Sequence, residues 1–232
     1  MFERPYHQRI EQVLRALNAP LLRENQCLFG GGTAIALRYG EYRESVDIDF
    51  LVSSLAGYRK LRQLLTNPGG IAGIVRPEVT PLEQVKEVRA DQYGVRVMLR
   101  VADQPIKFEM VLEAHIQLAE PTVKEEVCGV ATLSPLDMVT SKLLANSDRW
   151  GDDGVFNRDV IDLAMMKPSL ALLRQALLKA HGAYGQAIRQ DLDKALLRLQ
   201  TRQGWLERCM QAMAMVEPKA VVWQRLRALR RN

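Results

Sequence analysis

Residues 29–52 read Phe29-Gly30-Gly31-Gly32-Thr33-Ala34-Ile35-Ala36-Leu37-Arg38-Tyr39-Gly40-Glu41-Tyr42-Arg43-Glu44-Ser45-Val46-Asp47-Ile48-Asp49-Phe50-Leu51-Val52. A glycine run opens the stretch, a short small-residue helix over Ala34 to Tyr39 follows, and Arg43-x-Ser45-x-Asp47-x-Asp49 leads into an apolar strand, Asp47 to Val52. Asp47 and Asp49 are two residues apart, so on a strand they share one face. Two carboxylates on one face repel and are costly to bury alone. A divalent cation resolves that, and Mg²⁺ is usually held by one or two carboxylates plus substrate phosphates. Gly30, Gly31 and Gly32 let backbone approach closely, and a helix starting near Thr33 points free N–H groups and its positive end at an anion. Taken singly, each half has a plainer reading: a DxD is common at solvated strand ends, and three glycines make a tight turn. Together they point to a nucleoside triphosphate site.

Outward from this stretch the chain changes character once. Before it, residues 3–17 carry apolar Ile10, Val13, Leu14 and Leu17 at helical spacing, ending near Asn18-Ala19-Pro20. Cys27 to Phe29 is a short buried strand, and Gly40 ends the small-residue helix. After it, Ser53 or Ser54 caps a helix to Leu65 whose outer face carries Arg59, Lys60 and Arg62, and Asn67-Pro68-Gly69-Gly70 breaks the chain. Ile71–Val75 and Val85–Val88 are candidate strands. Val95–Val101 and Ile106–Leu112 alternate about the turn Ala102 to Pro105, which predicts a β-hairpin. Its second strand places Lys107, Glu109 and Val111 on one face and Ile106, Phe108, Met110 and Leu112 on the core face. Glu126–Val130 offers a last short strand.

From residue 133 the pattern is helical. Ser134-Pro135-Leu136-Asp137 starts a helix carrying Lys142, Asn157 caps the next, and helices follow over 169–180, 183–200, 203–215 and 218–231, with breaks at Pro168, Gly182, Gly204 and Pro218. The expected class is α+β: a mixed β-sheet flanked by helices over residues 1–132, then an all-helical domain over 133–232.

Composition bounds the function. The 232 residues are 47% hydrophobic and 25% charged, enough for a core in one large or two small domains. Cys27, Cys128 and Cys209 lie far apart in no metal-ligand spacing, and the odd count argues against a disulfide framework. There is no long apolar run, so no membrane partner is expected and the cytoplasm is the expected compartment. The net charge of +5 suits nucleotide or nucleic-acid partners, as does the basic tail Val222 to Arg231, although both also suit an ordinary soluble surface. The histidines His7, His115 and His181 are scattered and take no role; Trp150, Trp205 and Trp223 read as core or interface.

Glu109 could be a plain exposed strand residue. If its strand neighbours Asp47–Val52, however, three carboxylates meet, which is what two-metal nucleotidyl transfer uses. Lys107, on the same face, could neutralise phosphate or be a solvated lysine. Lys142, Arg158, Asp159 and Asp162 could equally be surface charge, with Asp159 and Asp162 on one helical face.

The set Gly31-Gly32-Thr33, Arg43-x-Ser45-x-Asp47-x-Asp49-Phe50, Lys107-x-Glu109, Lys142 after a Ser-Pro, and Arg158-Asp159-x-x-Asp162-Leu163 resembles the AbiEii/AbiGii toxin family within the polymerase-β-like nucleotidyltransferases. The resemblance spans roughly residues 25–170. It implies a mixed-sheet nucleotidyltransferase domain followed by helices, NTP as substrate, Mg²⁺ or Mn²⁺ as cofactor, a toxin–antitoxin or phage-defence setting with a cognate antitoxin, and transfer to the 3′ end of tRNA. It implies metal ligands at Asp47, Asp49 and Glu109, triphosphate contacts from Gly30, Gly31, Gly32, Thr33 and Lys142, further nucleotide-binding residues at Arg43, Ser45 and Lys107, and a catalytic Asp159 that acts as base or positions Lys142. Gly-Thr stands at 32 and 33 where many relatives have Gly-Ser; either hydroxyl can hold a phosphate. Other readings of the same fold are transfer to a small molecule or a protein hydroxyl, and a silent nucleotide- or partner-binding module.

Overall fold

A row of three phenylalanines explains the sheet. Phe29, Phe50 and Phe108 come from three separate strands, with ring centroids 5.5 Å and 5.4 Å apart and all three fully buried. Each strand alternates, so the residues on either side of each ring face the other way. The computed structural model that shows this describes residues 2–230. It resolves into two compact units, Met1–Arg38 with Ser45–Ser134, and Tyr39–Glu44 with Pro135–Asn232.

The first unit begins with helix α1 (Pro5–Ala16), started by a proline in its first turn. Helix α2 (Ala19–Glu24) follows where the sequence read only a stop, because Asn18 accepts from the Leu21 N–H and Pro20 sits in the first turn of the new helix rather than beyond the old one. Strand β1 (Cys27–Gly30) runs into helix α3 (Gly31–Arg38), and strand β2 (Ile48–Val52) returns antiparallel to β1. Helix α4 (Leu55–Thr66) is capped by Ser54, which accepts from the Gly57 N–H at 3.0 Å. Ile71–Val75, expected as a strand, falls instead mostly in a 3₁₀ turn over Gly70–Ile74; five residues are too few to show a period, and Gly70 has a φ of +54°.

Two short strands, β3 (Glu83–Gln84) and β4 (Arg89–Ala90), flank the expected strand 85–88 instead of coinciding with it. The hairpin β5 (Gly94–Val101) and β6 (Gln104–Leu112) forms as predicted. Its loop is the two residues Ala102 and Asp103, with φ of +46° and +61°, the positive pair of a type I′ turn. A second small hairpin joins β7 (Glu126–Val127) to β8 (Val130–Ala131). The main sheet has the order β1-β2-β6-β5-β3, with β4 also on β5; β2 and β6 are parallel and the other pairings antiparallel.

The second unit is helical: α5 (Pro135–Arg149), α6 (Arg158–Met166), α7 (Leu170–Tyr184), α8 (Ala187–Thr201), α9 (Trp205–Ala212) and α10 (Lys219–Ala228). Helix α5 packs against α6, α7 and α8, and α10 lies on α6. Gly182 does not break the chain; it lies inside α7, and the break falls at Gly185, whose φ of +63° a side chain would resist. Asn157 does not cap α6 with its side chain. It takes φ of +47° and instead accepts from the indole N–H of Trp205 at 2.6 Å and donates to the Trp150 carbonyl. Residues 39–44, read as part of the first domain, group with these helices: Glu44 N–H donates to Met213 O at 3.0 Å. The basic tail ends at Arg231, which lies outside the described residues. The three cysteines are free thiols, and among the described residues no helix is long and apolar enough to cross a membrane.

Candidate active site

The half-buried face of the sheet opposite the phenyl row carries the charges. In the parallel pair β2–β6, Asp49 lies directly opposite Glu109; on its other side Asp49 lies opposite Gly30 of β1. The two carboxylates predicted to meet are therefore cross-strand neighbours. Asp47 precedes the strand by one residue and is half-buried.

Glycine at position 31 is explained twice over. Its φ of +66° is left-handed, and a Cβ there would stand 2.8 Å from Asp49 Cβ and 3.0 Å from Asp49 Cγ. The first turn of α3 thus presses on the carboxylate, and the helix's positive end faces a negative group. Gly30 is also tight: a Cβ would meet Leu133 Cδ1 at 3.0 Å. Thr33 is buried, and its hydroxyl donates to the Asp47 carbonyl. With that proton committed, the Ser45 hydroxyl, 2.8 Å from Thr33 Oγ1, is the donor of that second bond. Thr33 and Ser45, both expected to bind nucleotide, are joined and brace the approach to Asp47.

Glu109 differs from the expectation of a third metal ligand. Arg96 Nε donates to one of its oxygens at 2.6 Å and Lys107 Nζ to the other at 2.5 Å. Opposite charges directly across strands pair, and Arg96 is the residue opposite Glu109 in the β5–β6 register. Among the described residues no group of three His, Cys, Asp or Glu side chains stands in ligating range. Lys107 senses the whole face. Partial burial works against its charge, but Glu109, then Asp47 and Asp49, outweigh that and raise its pKa above the ordinary lysine value. Asp47 and Asp49 alone meet the usual Mg²⁺ requirement of one or two carboxylates with substrate phosphates completing the shell, so the donor set fits that ion.

The remaining expected residues lie in the helical unit, in a buried ion cluster. Lys142, only 4% exposed, places its ammonium 2.8 Å from Asp159 Oδ1 and 2.8 Å from Asp162 Oδ2. Arg149 forks onto Asp159 at 2.8 and 3.0 Å. Arg43 forks onto Asp162 at 2.7 and 3.0 Å, and the Tyr42 hydroxyl donates to the same carboxylate at 2.5 Å. Arg43 is 5% exposed, so its guanidinium is committed to Asp162 and is not the open phosphate ligand that its motif position suggested. Burial opposes the charged form of Asp159, but Lys142 and Arg149 hold its pKa well below the carboxylate range; burial opposes Asp162 likewise, and Arg43 and Lys142 hold it down. An acid so strongly stabilised as its anion is a poor base, and Asp159 spends one oxygen on the Lys142 ammonium at 2.8 Å.

Sequence reasoning missed several partners. Buried His7 accepts from the Ser45 N–H at 3.2 Å through Nε2; its spacing with Ile10 and Leu14 on the apolar face of α1 was the available signal. Arg96, Tyr42 and Arg149 had no local signal, since each is defined by its partner across the fold.

A protein-family model described as nucleotidyl transferase AbiEii toxin, of type IV toxin–antitoxin systems, matches residues 12–230. The chain belongs to this family. It is therefore a nucleotidyltransferase by membership, and the match runs through the C-terminal helices, beyond the 25–170 that the motifs cover. Two solved structures share the fold of this AbiEii-family chain. MenT4, a nucleotidyltransferase toxin from Mycobacterium tuberculosis H37Rv, superposes with a TM-score of 0.55 at 17% identity over 98% of this chain and 85% of that one. A candidate nucleotidyltransferase from H. pylori superposes with 0.51 at 16% identity over 98% and 96%. At such identities the likeness concerns the fold. No curated protein matches the sequence.

Proposed function

We propose that the chain transfers a nucleoside monophosphate from an NTP to a hydroxyl at the end of an RNA, with Mg²⁺ as cofactor, and acts as the toxin of a toxin–antitoxin pair countered by a cognate antitoxin. The observation that carries the reading is the placement of Asp49 between Gly30 and Glu109, with Gly31 closed against it. The Gly30–Thr33 turn and the start of α3 receive the triphosphate, because backbone N–H groups and the helix dipole face it there. Asp47 and Asp49 hold the cation, which supplies charge neutralisation at the reacting phosphate. Lys107 lies within the field of both carboxylates and stabilises the charge that develops on the phosphates. The acceptor oxygen forms a bond to the α-phosphorus, the α–β anhydride bond breaks, and pyrophosphate leaves with the electron pair. The hydroxyl proton leaves to the carboxylate face. The net charge of +5 supports an RNA acceptor.

The test is transfer from each α-labelled NTP, with Mg²⁺, to total tRNA, to protein, or to neither. Label on RNA with wild type and none with Asp47→Asn supports the reading; label on protein alone moves the acceptor and refutes the RNA part of it.

A further inference from the structure

The register of the sheet continues past the two carboxylates. Asp49 is opposite Glu109, Glu109 is opposite Arg96, and Arg96 is opposite Arg89 on β4. Directly opposed residues lie on the same face, so one row crosses the sheet from two acids to two arginines. At about 4.8 Å per strand the row is roughly 14 Å long from Asp49 to Arg89.

The Arg96–Arg89 pair is anomalous for a sheet. Like charges directly opposite destabilise a ladder. Four residues along the same strand, Arg100 faces Glu83 and forms a 2.8 Å ion pair with it. Arg96 is shared between Glu109 and Asp91, whereas Arg89 is exposed and has no carboxylate partner among the described residues. A third arginine, Arg62, lies one helical turn beyond Tyr58 on α4. The Tyr58 hydroxyl donates to the Asp91 carbonyl at 2.8 Å, and the Asp91 carboxylate pairs with Arg96 at 3.3 Å. Arg62 is exposed and likewise has no carboxylate partner among the described residues. Among the described residues two guanidinium groups without a carboxylate thus stand toward the end of the row away from the acidic pair: Arg89 in the row itself, and Arg62 one helical turn from the Tyr58 that bonds Asp91.

We propose that Arg89 and Arg62 seat the backbone phosphates of a nucleic-acid acceptor strand whose terminal hydroxyl lies at the Asp49 end of the row. The proposal rests on the transfer reading above and specifies where its acceptor lies. The span is the discriminating feature. A small hydroxyl compound at Asp49 would not reach Arg89, roughly 14 Å away, whereas a polyanionic strand carries phosphates behind its terminal hydroxyl. Arginines at exposed, unpaired positions bind such phosphates and release counterions on doing so.

The experiment titrates the full chain with a fluorescein-labelled single-stranded oligoribonucleotide across a salt series and reads anisotropy, with Mg²⁺·ATP binding measured in parallel by calorimetry. In Arg62→Ala/Arg89→Ala the RNA affinity falls about tenfold at low salt. The slope of log affinity against log salt becomes shallower by roughly 1.4, at about 0.7 per lost phosphate contact. Arg62→Lys/Arg89→Lys keeps the slope, and all variants bind ATP as wild type does. Arg174→Ala, an exposed arginine on α7, changes neither quantity. RNA affinity unchanged in the double alanine variant overturns the proposal. Wild type that does not bind RNA, an equal effect of Arg174→Ala, or lost ATP binding in the double variant also overturns it. Failure here leaves the transfer chemistry standing, and undiminished transfer by Asp47→Asn would refute that chemistry without touching the binding result.

Discussion

Gly31 and Asp49 are so closely packed that the glycine's missing side chain is what gives the carboxylate its room. A Cβ on residue 31 would lie 2.8 Å from Asp49 Cβ, and the backbone φ of +66° would strain any other residue. Gly31→Ala therefore loses stability by about 1–3 kcal/mol, from the left-handed strain together with displacement of Asp49. It also loses NTP binding more than a stability loss alone explains. Thermal unfolding beside calorimetry with Mg²⁺·ATP measures both, and a variant that keeps wild-type melting and affinity contradicts the account.

Thr33 acts through its hydroxyl. It bonds the Asp47 carbonyl and accepts from Ser45, and it is buried. Thr33→Ser keeps both bonds and retains transfer. Thr33→Val is near in shape but strands a buried carbonyl, costing about 1–3 kcal/mol and slackening the approach to Asp47. Transfer rates of the two variants, read side by side, separate the hydroxyl from the packing; equal rates would rule out the hydroxyl's role.

The ion cluster of the helical unit is a stability element. Asp162 is fully buried between Arg43, Lys142 and Tyr42. Asp162→Asn leaves two cations short of a counter-charge and costs roughly 3–5 kcal/mol. For a chain of this size that lowers the melting temperature by about 10 °C. A melting temperature within a degree of wild type would show the cluster to be dispensable.

Acid should act through the same cluster. Asp159 and Asp162 have pKa values held below the ordinary value of about 3.9. Groups depressed in the folded state bind fewer protons than in the unfolded chain. Their stabilisation is complete above about pH 4–5 and is lost as pH falls through the folded values. Unfolding free energy measured from pH 7 downward stays flat with respect to these groups until about pH 4, then drops; in Asp159→Asn the drop is shallower. An identical acid limb in wild type and variant would contradict the assignment.

What could be read from the chain follows how local each signal is. The β5–β6 hairpin was legible because two alternating runs and the turn between them lie within twenty residues of one another, although the turn read as Ala102 to Pro105 closes to two residues. The local structure of the Gly30–Asp49 stretch was legible because the glycine run and the apolar strand after it lie close together in the chain, and both form where the residues place them. Helix α2 was not, since Pro20 means a stop or a first turn depending on whether Asn18 caps. The neighbour relation of Asp49 and Glu109 was anticipated only conditionally, because a parallel register across sixty residues is set by the core. Arg43 shows the limit most clearly. Its place beside the DxD suggested phosphate binding, and its actual partner, Asp162, lies 119 residues away.

The central claim is metal-supported nucleotidyl transfer at Asp47 and Asp49, and a single assay tests it most directly. Purified wild type and Asp49→Asn, matched for folding by circular dichroism and melting temperature, are incubated with Mg²⁺, each α-labelled NTP in turn, and total tRNA. The account predicts label on RNA with wild type and at least a hundredfold less with Asp49→Asn, the loss expected when charge stabilisation at the reacting phosphate is removed. Equal labelling by the two proteins would contradict it.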